Sequence, residues 1–146
     1  MKLSIRSAEA ADVPTIAELI RGLARYEKLE HEVAMTEERL VTNLFGPHPF
    51  AETLLAEDEG VPVGFALFFH NFSTFLALPG IYLEDLYVVP EHRGRGIGRA
   101  LLKHLAHIAV ERGCGRLEWS VLDWNRDAIG FYERLGATPN SEWTVY

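Results

Sequence analysis

The chain of 146 residues holds a single cysteine, Cys114, only two methionines and no low-complexity tract. One thiol excludes an internal disulfide framework and any cysteine metal cluster, which fits a reducing compartment. The six histidines are scattered without ligand spacing, so no metal is expected. No apolar run approaches the roughly 20 residues needed to cross a bilayer, and the opening "MKLSIRSAEAADVP" lacks an apolar signal core; a cytoplasmic protein with no membrane partner is expected. Positive charge is also in deficit, since 14 Lys and Arg against 21 Asp and Glu leave a formal charge of −7. That balance disfavours nucleic acid as a partner and favours cationic small molecules or basic peptides.

What is present suffices for one compact domain over residues 1–146, with 48% hydrophobic residues to form its core. Period-two alternation predicts a strand over Lys2–Arg6. Asp12 and Pro14 then open a helix with Ile16, Leu19, Ile20 and Leu23 inward. A shorter helix starts at Thr36, with Glu37 and Glu38 in its first turn and Leu40, Val41 and Leu44 inward, and stops at Gly46 and Pro47. "ETLLAED" and "PVGFALFFH" form a hairpin about Glu59 and Gly60, and a loop over Asn71–Gly80 leads to the strand "IYLEDLYVV". A helix over Ala100–Arg112 ends at "GCG", the strand "RLEWSVL" follows, and a last helix runs from Arg126 to Leu135. This order of elements predicts an α/β fold, a mixed sheet with helices on both faces.

The densest signal is "YVVPEHRGRGIGRALL", Tyr87–Leu102, in which a strand enters a glycine-rich turn and then a helix. Unpaired N–H groups and the helix dipole make such a turn an anion site. No Lys-Ser or Lys-Thr follows Gly98, which excludes the Walker pattern. Arg99 stands where a dinucleotide fingerprint would put its third glycine. Three alternating glycines, Gly94, Gly96 and Gly98, flanked by Arg93, Arg95 and Arg99, remain as an anion cradle. Glu84 and Asp85 interrupt an otherwise apolar strand, where a charge needs a partner or a task, and strict alternation would send them to opposite faces.

The pattern Arg93-x-x-Gly96-x-Gly98 after an apolar strand resembles the acetyl-CoA signature of the GNAT N-acetyltransferases. Further stretches, "ELIRGLARYEKLE", "FGPHPF", "VGFALFF", "YLEDLYV" and "WNRDAIGFYERLGA", are similar to the spermidine/spermine (diamine) N-acetyltransferase branch. The resemblance implies a GNAT fold: a mixed, mostly antiparallel twisted sheet with helices on both faces and a splayed central parallel strand pair. It implies acetyl-CoA held by the turn from Arg93 to Arg99, including Ile97, by the backbone of Leu86, Tyr87 and Val88, and by Asn125, Ala128 and Tyr132. Glu84 is then the base for the attacking amine and Tyr132 the acid for the departing thiolate. Tyr26, Glu27, Glu84, Asp85, Glu118, Trp119 and Glu142 match the amine side of the branch and imply an acidic, partly aromatic pocket for a di- or polyamine or a lysine-like amine. A homodimer is implied as well. The branch runs on beyond the strand that carries its last tryptophan, whereas this sequence stops at Tyr146.

Cys114 lies between two glycines, away from the other candidates, so direct transfer is expected and not an acetyl-cysteine intermediate. Two other readings stay open: a related enzyme acting on an amino acid, aminoglycoside or protein amine, and a non-catalytic CoA-binding sensor.

Overall fold

A computed structural model describes all residues from Met1 to Tyr146. Five strands form one sheet in the order β1-β2-β3-β4-β5: β1 (Leu3–Ser7), β2 (Glu52–Asp58), β3 (Val61–Ser73), β4 (Leu78–Val88) and β5 (Leu117–Trp119). The first four pair antiparallel, and β4 pairs parallel with β5. Four helices flank the sheet: α1 (Val13–Tyr26), α2 (Glu37–Phe45), α3 (Ile97–Glu111) and α4 (Arg126–Arg134). The expected α/β architecture with helices on both faces is present.

Alternation along the strands divides the core between the two faces. One face carries Ala66, Phe68, Ile81 and Leu83, which meet Ile97, Leu101 and Leu105 of α3 and Phe131 and Tyr132 of α4. The other carries Phe65 and Tyr87 against Ile16, Leu19 and Leu23 of α1, with Leu40, Leu44 and Phe45 of α2 behind them. Helix α1 sits close on β4 because residue 22 is glycine, where a Cβ would stand 2.7 Å from the Tyr87 hydroxyl.

Several boundaries differ from the sequence expectation. Strands β3 and β4 run on through most of the expected loop over 71–80, leaving a tip of only four residues, 74–77. The expected strand "RLEWSVL" shrinks to Leu117–Trp119 because β4 supports only three pairs there, Ile81↔Leu117, Tyr82↔Glu118 and Leu83↔Trp119. No strand flanks β5 on its far side, so the parallel pair occupies the sheet edge and not its centre. Val41 is exposed although it was expected inward; Leu40 and Leu44, four apart, occupy the buried stripe of α2 and turn Val41 away. Asp12 caps α1 with no side-chain hydrogen bond, because its carboxylate grips the Arg6 guanidinium at 2.8 and 2.9 Å.

The ladder between β3 and β4 carries one irregularity. Its register pairs Phe68 with Leu83 and then Leu67 with Asp85, so Glu84 is an extra residue, a β-bulge.

The core assignment is checked by denaturant unfolding of two variants. Leu101→Ala, in a fully buried position, should cost about 2–5 kcal/mol. Val41→Ser should stay within about 0.5 kcal/mol of wild type.

Candidate active site

The glycine-rich turn joins β4 to α3 with the backbone its glycines permit. Gly94 and Gly96 have φ of 77° and 81°, a region that side-chain-bearing residues rarely adopt, and nothing lies within 4 Å of where either Cβ would be. Gly96 caps α3, whose first N–H groups have no intrahelical partner. The Ile97 side chain is 1% exposed in the core, so only its backbone is available to a ligand. Arg95 and Arg99 are exposed on the turn and the first turn of α3. Arg93 turns back: its Nε donates to the Val88 carbonyl at 2.9 Å, and its guanidinium lies 4.6 Å from the Tyr26 ring centre and 5.5 Å from that of Tyr87.

Beyond Leu83↔Trp119 the edge of β4 faces no strand. The Val89 N–H donates to the Val63 carbonyl of β3, so Val88 and, by alternation, Leu86 direct their N–H and C=O groups outward into the gap. Tyr87 directs its backbone toward β3, which removes it from the expected backbone set. Its ring contributes beneath Arg93. Open N–H groups, a glycine cradle and exposed arginines fit an extended ligand with an anionic end, as expected for acetyl-CoA.

Helix α4 closes the gap from the other side. Asn125, 7% exposed, caps it by accepting from the Ala128 N–H at 3.2 Å, and the same Oδ1 accepts from the Tyr26 hydroxyl at 3.0 Å. Tyr26 ends α1, so this bond ties the two layers together across the gap. Tyr132 stands one helical turn beyond Ala128, its ring 5.0 Å from Trp119 and 5.4 Å from Phe131. Burial, reinforced by nearby Tyr26 and Glu27, pushes the Tyr132 hydroxyl up to about 12, so it keeps its proton at neutral pH.

Three acids converge on the α1 side. Burial, followed by the charges of Glu84 and Glu27, raises Asp85 to about 7. Glu27, at the C-terminal end of α1, is raised by burial and by Glu84. Glu84 itself is exposed. The bulge corrects the expectation of opposite faces: it inserts one residue, so that Asp85 follows Tyr82 on the α1 side and comes under Glu27.

Not every expected amine-side residue joins this cluster. Trp119 alternates onto the other face, against the α3 layer and Tyr132, and lines a groove of about 550 Å³ with Arg99, Leu102 and Lys103. Glu118 is on the acidic side but is committed, accepting from Arg116 at 2.8 Å, Asn71 at 3.0 Å and Asn140 at 3.3 Å. Glu142 lies exposed in the terminal segment and makes no hydrogen bond or ion pair. Sequence reasoning passed over Trp124, whose ring centre is 6.3 Å from that of Tyr26 with the Lys28 ammonium 5.0 Å away. Its 49% exposure beside a buried helix cap is the signal, and only structure reveals it.

Burying Asp85 has a measurable cost. A carboxyl raised from 3.8 to about 7 on folding withdraws stability as pH climbs through that interval, and fully so above it. Asp85→Asn should therefore raise the melting temperature more at pH 8 than at pH 4, as followed by thermal denaturation across that range.

Residues 14–137 match the family model described as "Acetyltransferase (GNAT) family". The chain is 42% identical to a thialysine N-epsilon-acetyltransferase of Bos taurus, covering 94% of this chain and 85% of that protein. It is 35% identical to an L-ornithine N5-acetyltransferase of Arabidopsis thaliana, covering 97% and 82%. It is 36% identical to the spermidine/spermine N(1)-acetyltransferase-like protein 1 of Homo sapiens, covering 91% of this chain and 20% of that longer protein. These matches show the family: the chain belongs to the GNAT acetyltransferase family and is an N-acetyltransferase.

Proposed function

We propose that the protein transfers acetyl from acetyl-CoA directly to a primary amine of a small cationic substrate, a di- or polyamine or a lysine-like amine. The observation that carries this reading is the meeting, where β4 leaves β5, of a protonated Tyr132 with the carboxyl cluster Glu27, Glu84 and Asp85. Thialysine, ornithine and spermidine, named for the three relatives, share a primary amine at the end of an alkyl chain that bears a second cation. The −7 charge of the chain and the three acids suit that class.

Acetyl-CoA supplies an activated thioester. Exposed Arg95 and Arg99 and the amides at Gly94–Gly98 would hold its phosphates, while the outward N–H groups of Leu86 and Val88 would hold the arm and the acyl oxygen. Asn125 keeps α4 seated, and Tyr132 would supply the proton that the departing thiolate takes up. An alkylammonium with a pKa near 10.4 must lose a proton before it attacks. Glu84, exposed at the bulge, receives that proton in this reading. A specific observation favours Asp85 as a second candidate: at about 7 it matches neutral-pH proton transfer.

Release of CoA thiol by the purified protein, across polyamines, lysine analogues, amino acids and peptides, tests the activity. Tyr132→Phe should keep the fold and most acetyl-CoA affinity while kcat falls at least tens-fold, since general acid catalysis contributes about 10²- to 10⁴-fold. Normal turnover with a much lower melting temperature would make Tyr132 a packing residue only.

The pH profile separates the two carboxylates. If Asp85 is the base, kcat/KM rises with pH through about 7 and Asp85→Asn abolishes that limb. If Glu84 is the base, Glu84→Gln lowers kcat and Asp85→Asn leaves the limb in place.

A further inference from the structure

The α1-side face of the sheet continues past the acidic cluster onto a surface that α1 and α2 do not cover. Three pairings define it: Phe65↔Tyr87, Leu67↔Asp85 and Phe69↔Tyr82 lie in succession along β3 and β4. On β3, Phe65 and Leu67 pack beneath α1 and α2, while Phe69 and its partner Tyr82 are left half-exposed. Their rings lie tilted beside one another, with centres 5.4 Å apart and planes inclined by 33°.

Charge surrounds this aromatic floor. Asp85 is the next side chain on the same face of β4, and Glu84 and Glu27 stand by it. On the other side Tyr82 is paired with Glu118 of β5. The Tyr82 hydroxyl is anchored by a 2.6 Å hydrogen bond with Ser120, which holds the ring against the sheet. Arg116 offsets much of the Glu118 charge. A cation here would therefore meet the rings with acids at the border, and the two-residue spacing of the partners Leu67 and Phe69 on β3 places it about 7 Å from the acids at Asp85.

Resting on the acetyl-transfer reading, the geometry points to the Phe69–Tyr82 ring pair as the seat of the substrate's second, non-reacting ammonium, which makes the two rings the determinant that selects dications over monoamines. The acids at the bulge receive the reacting amine. The alkyl chain lies along the β4 surface between them. Separating the two cations keeps the distal charge from competing for the carboxylates that the reacting amine needs. The aromatic seat also discriminates by charge without forming an ion pair, so it holds the cation while leaving it free to depart after transfer.

Cadaverine and pentylamine, amines of equal chain length, provide the test. In Tyr82→Leu the ratio of KM for cadaverine to KM for pentylamine should rise about three- to tenfold, the range of a partly desolvated cation–π contact. Phe69→Leu should act in the same direction. Tyr82→Phe keeps the ring and should restore most of the selectivity, which a role for the hydroxyl alone would not allow. Calorimetric titration of cadaverine into the protein without acetyl donor reads the seat independently of turnover and should show the same loss in Tyr82→Leu. An unchanged KM ratio together with equal cadaverine binding in wild type and Tyr82→Leu overturns the proposal. Tyr82-dependent cadaverine binding by a wild type that acetylates neither amine would overturn the transfer reading and leave the seat standing.

Discussion

The single extra residue in β4 is the constraint on which the site depends. With strict alternation, Glu84 would fall on the α1 side and Asp85 would point into the α3 layer, where Ile81, Leu83 and Leu101 are fully buried. A carboxylate there would lack both water and a partner. The bulge at Glu84 shifts the phase by one, so that Leu86 and Val88 continue the apolar row of Ile81 and Leu83 while Asp85 and Tyr87 take the other face. It coincides with the end of pairing to β5 at Leu83↔Trp119. Acid placement and an open backbone edge therefore arise at the same point of the strand, one on its face and the other along its side.

That arrangement is held at a cost in stability. Three carboxyls share a small region in which no hydrogen bond or ion pair from a basic side chain reaches Asp85, and burial together with its neighbours raises its pKa. Arg93, which follows β4, is turned instead over Tyr26 and Tyr87 with its Nε on the Val88 carbonyl. An arginine bonded to Asp85 would stabilise the resting protein and would also lower the affinity for a cationic ligand. Leaving the acids unpaired keeps the negative field available, consistent with marginal local stability at a functional site.

The glycine turn was legible because its constraint is local: positive φ at Gly94 and Gly96 and the cap of α3 depend on adjacent residues alone. The hairpin at Glu59 and Gly60 was legible for the same reason, with φ of 51° and 82° at its two residues. The bulge was not. "YLEDLYV" reads as alternation interrupted by two acids, and nothing in the string tells which residue lies outside the register, since that is decided by the pairing of β3. Trp119 and Glu118 illustrate the same limit. Both were expected at the amine site, but β5 alternates, so only one of them faces the acids, and that one is bonded to Arg116, Asn71 and Asn140. Tyr132 shows where family resemblance added to the local reading. Helix periodicity gives a half-buried ring in either case, and its relation to Tyr26 and Glu27 depends on how α4 lies over the gap.

The two helical layers pack on opposite faces of the same strands, yet the proposed reaction draws on both. The acids belong to the α1 side, whereas Tyr132 belongs to the α4 side and packs on Trp119. Only the region where β4 is uncovered allows the two sets to meet. There the Tyr26 hydroxyl bonds to Asn125, whose same oxygen caps α4, so any shift of α1 relative to α4 must break or bend that bond. Arg93 stacked on Tyr26 and bonded to Val88 adds the edge of β4 and the start of the glycine turn to the same assembly. In the proposed reaction the distances between proton acceptor, acyl site and proton donor would be set by a short chain of side chains, Asn125–Tyr26–Arg93, whose members need not touch the reacting atoms. Because catalysis is sensitive to displacements of about 1 Å, this chain serves to hold the two halves of the site in a common frame.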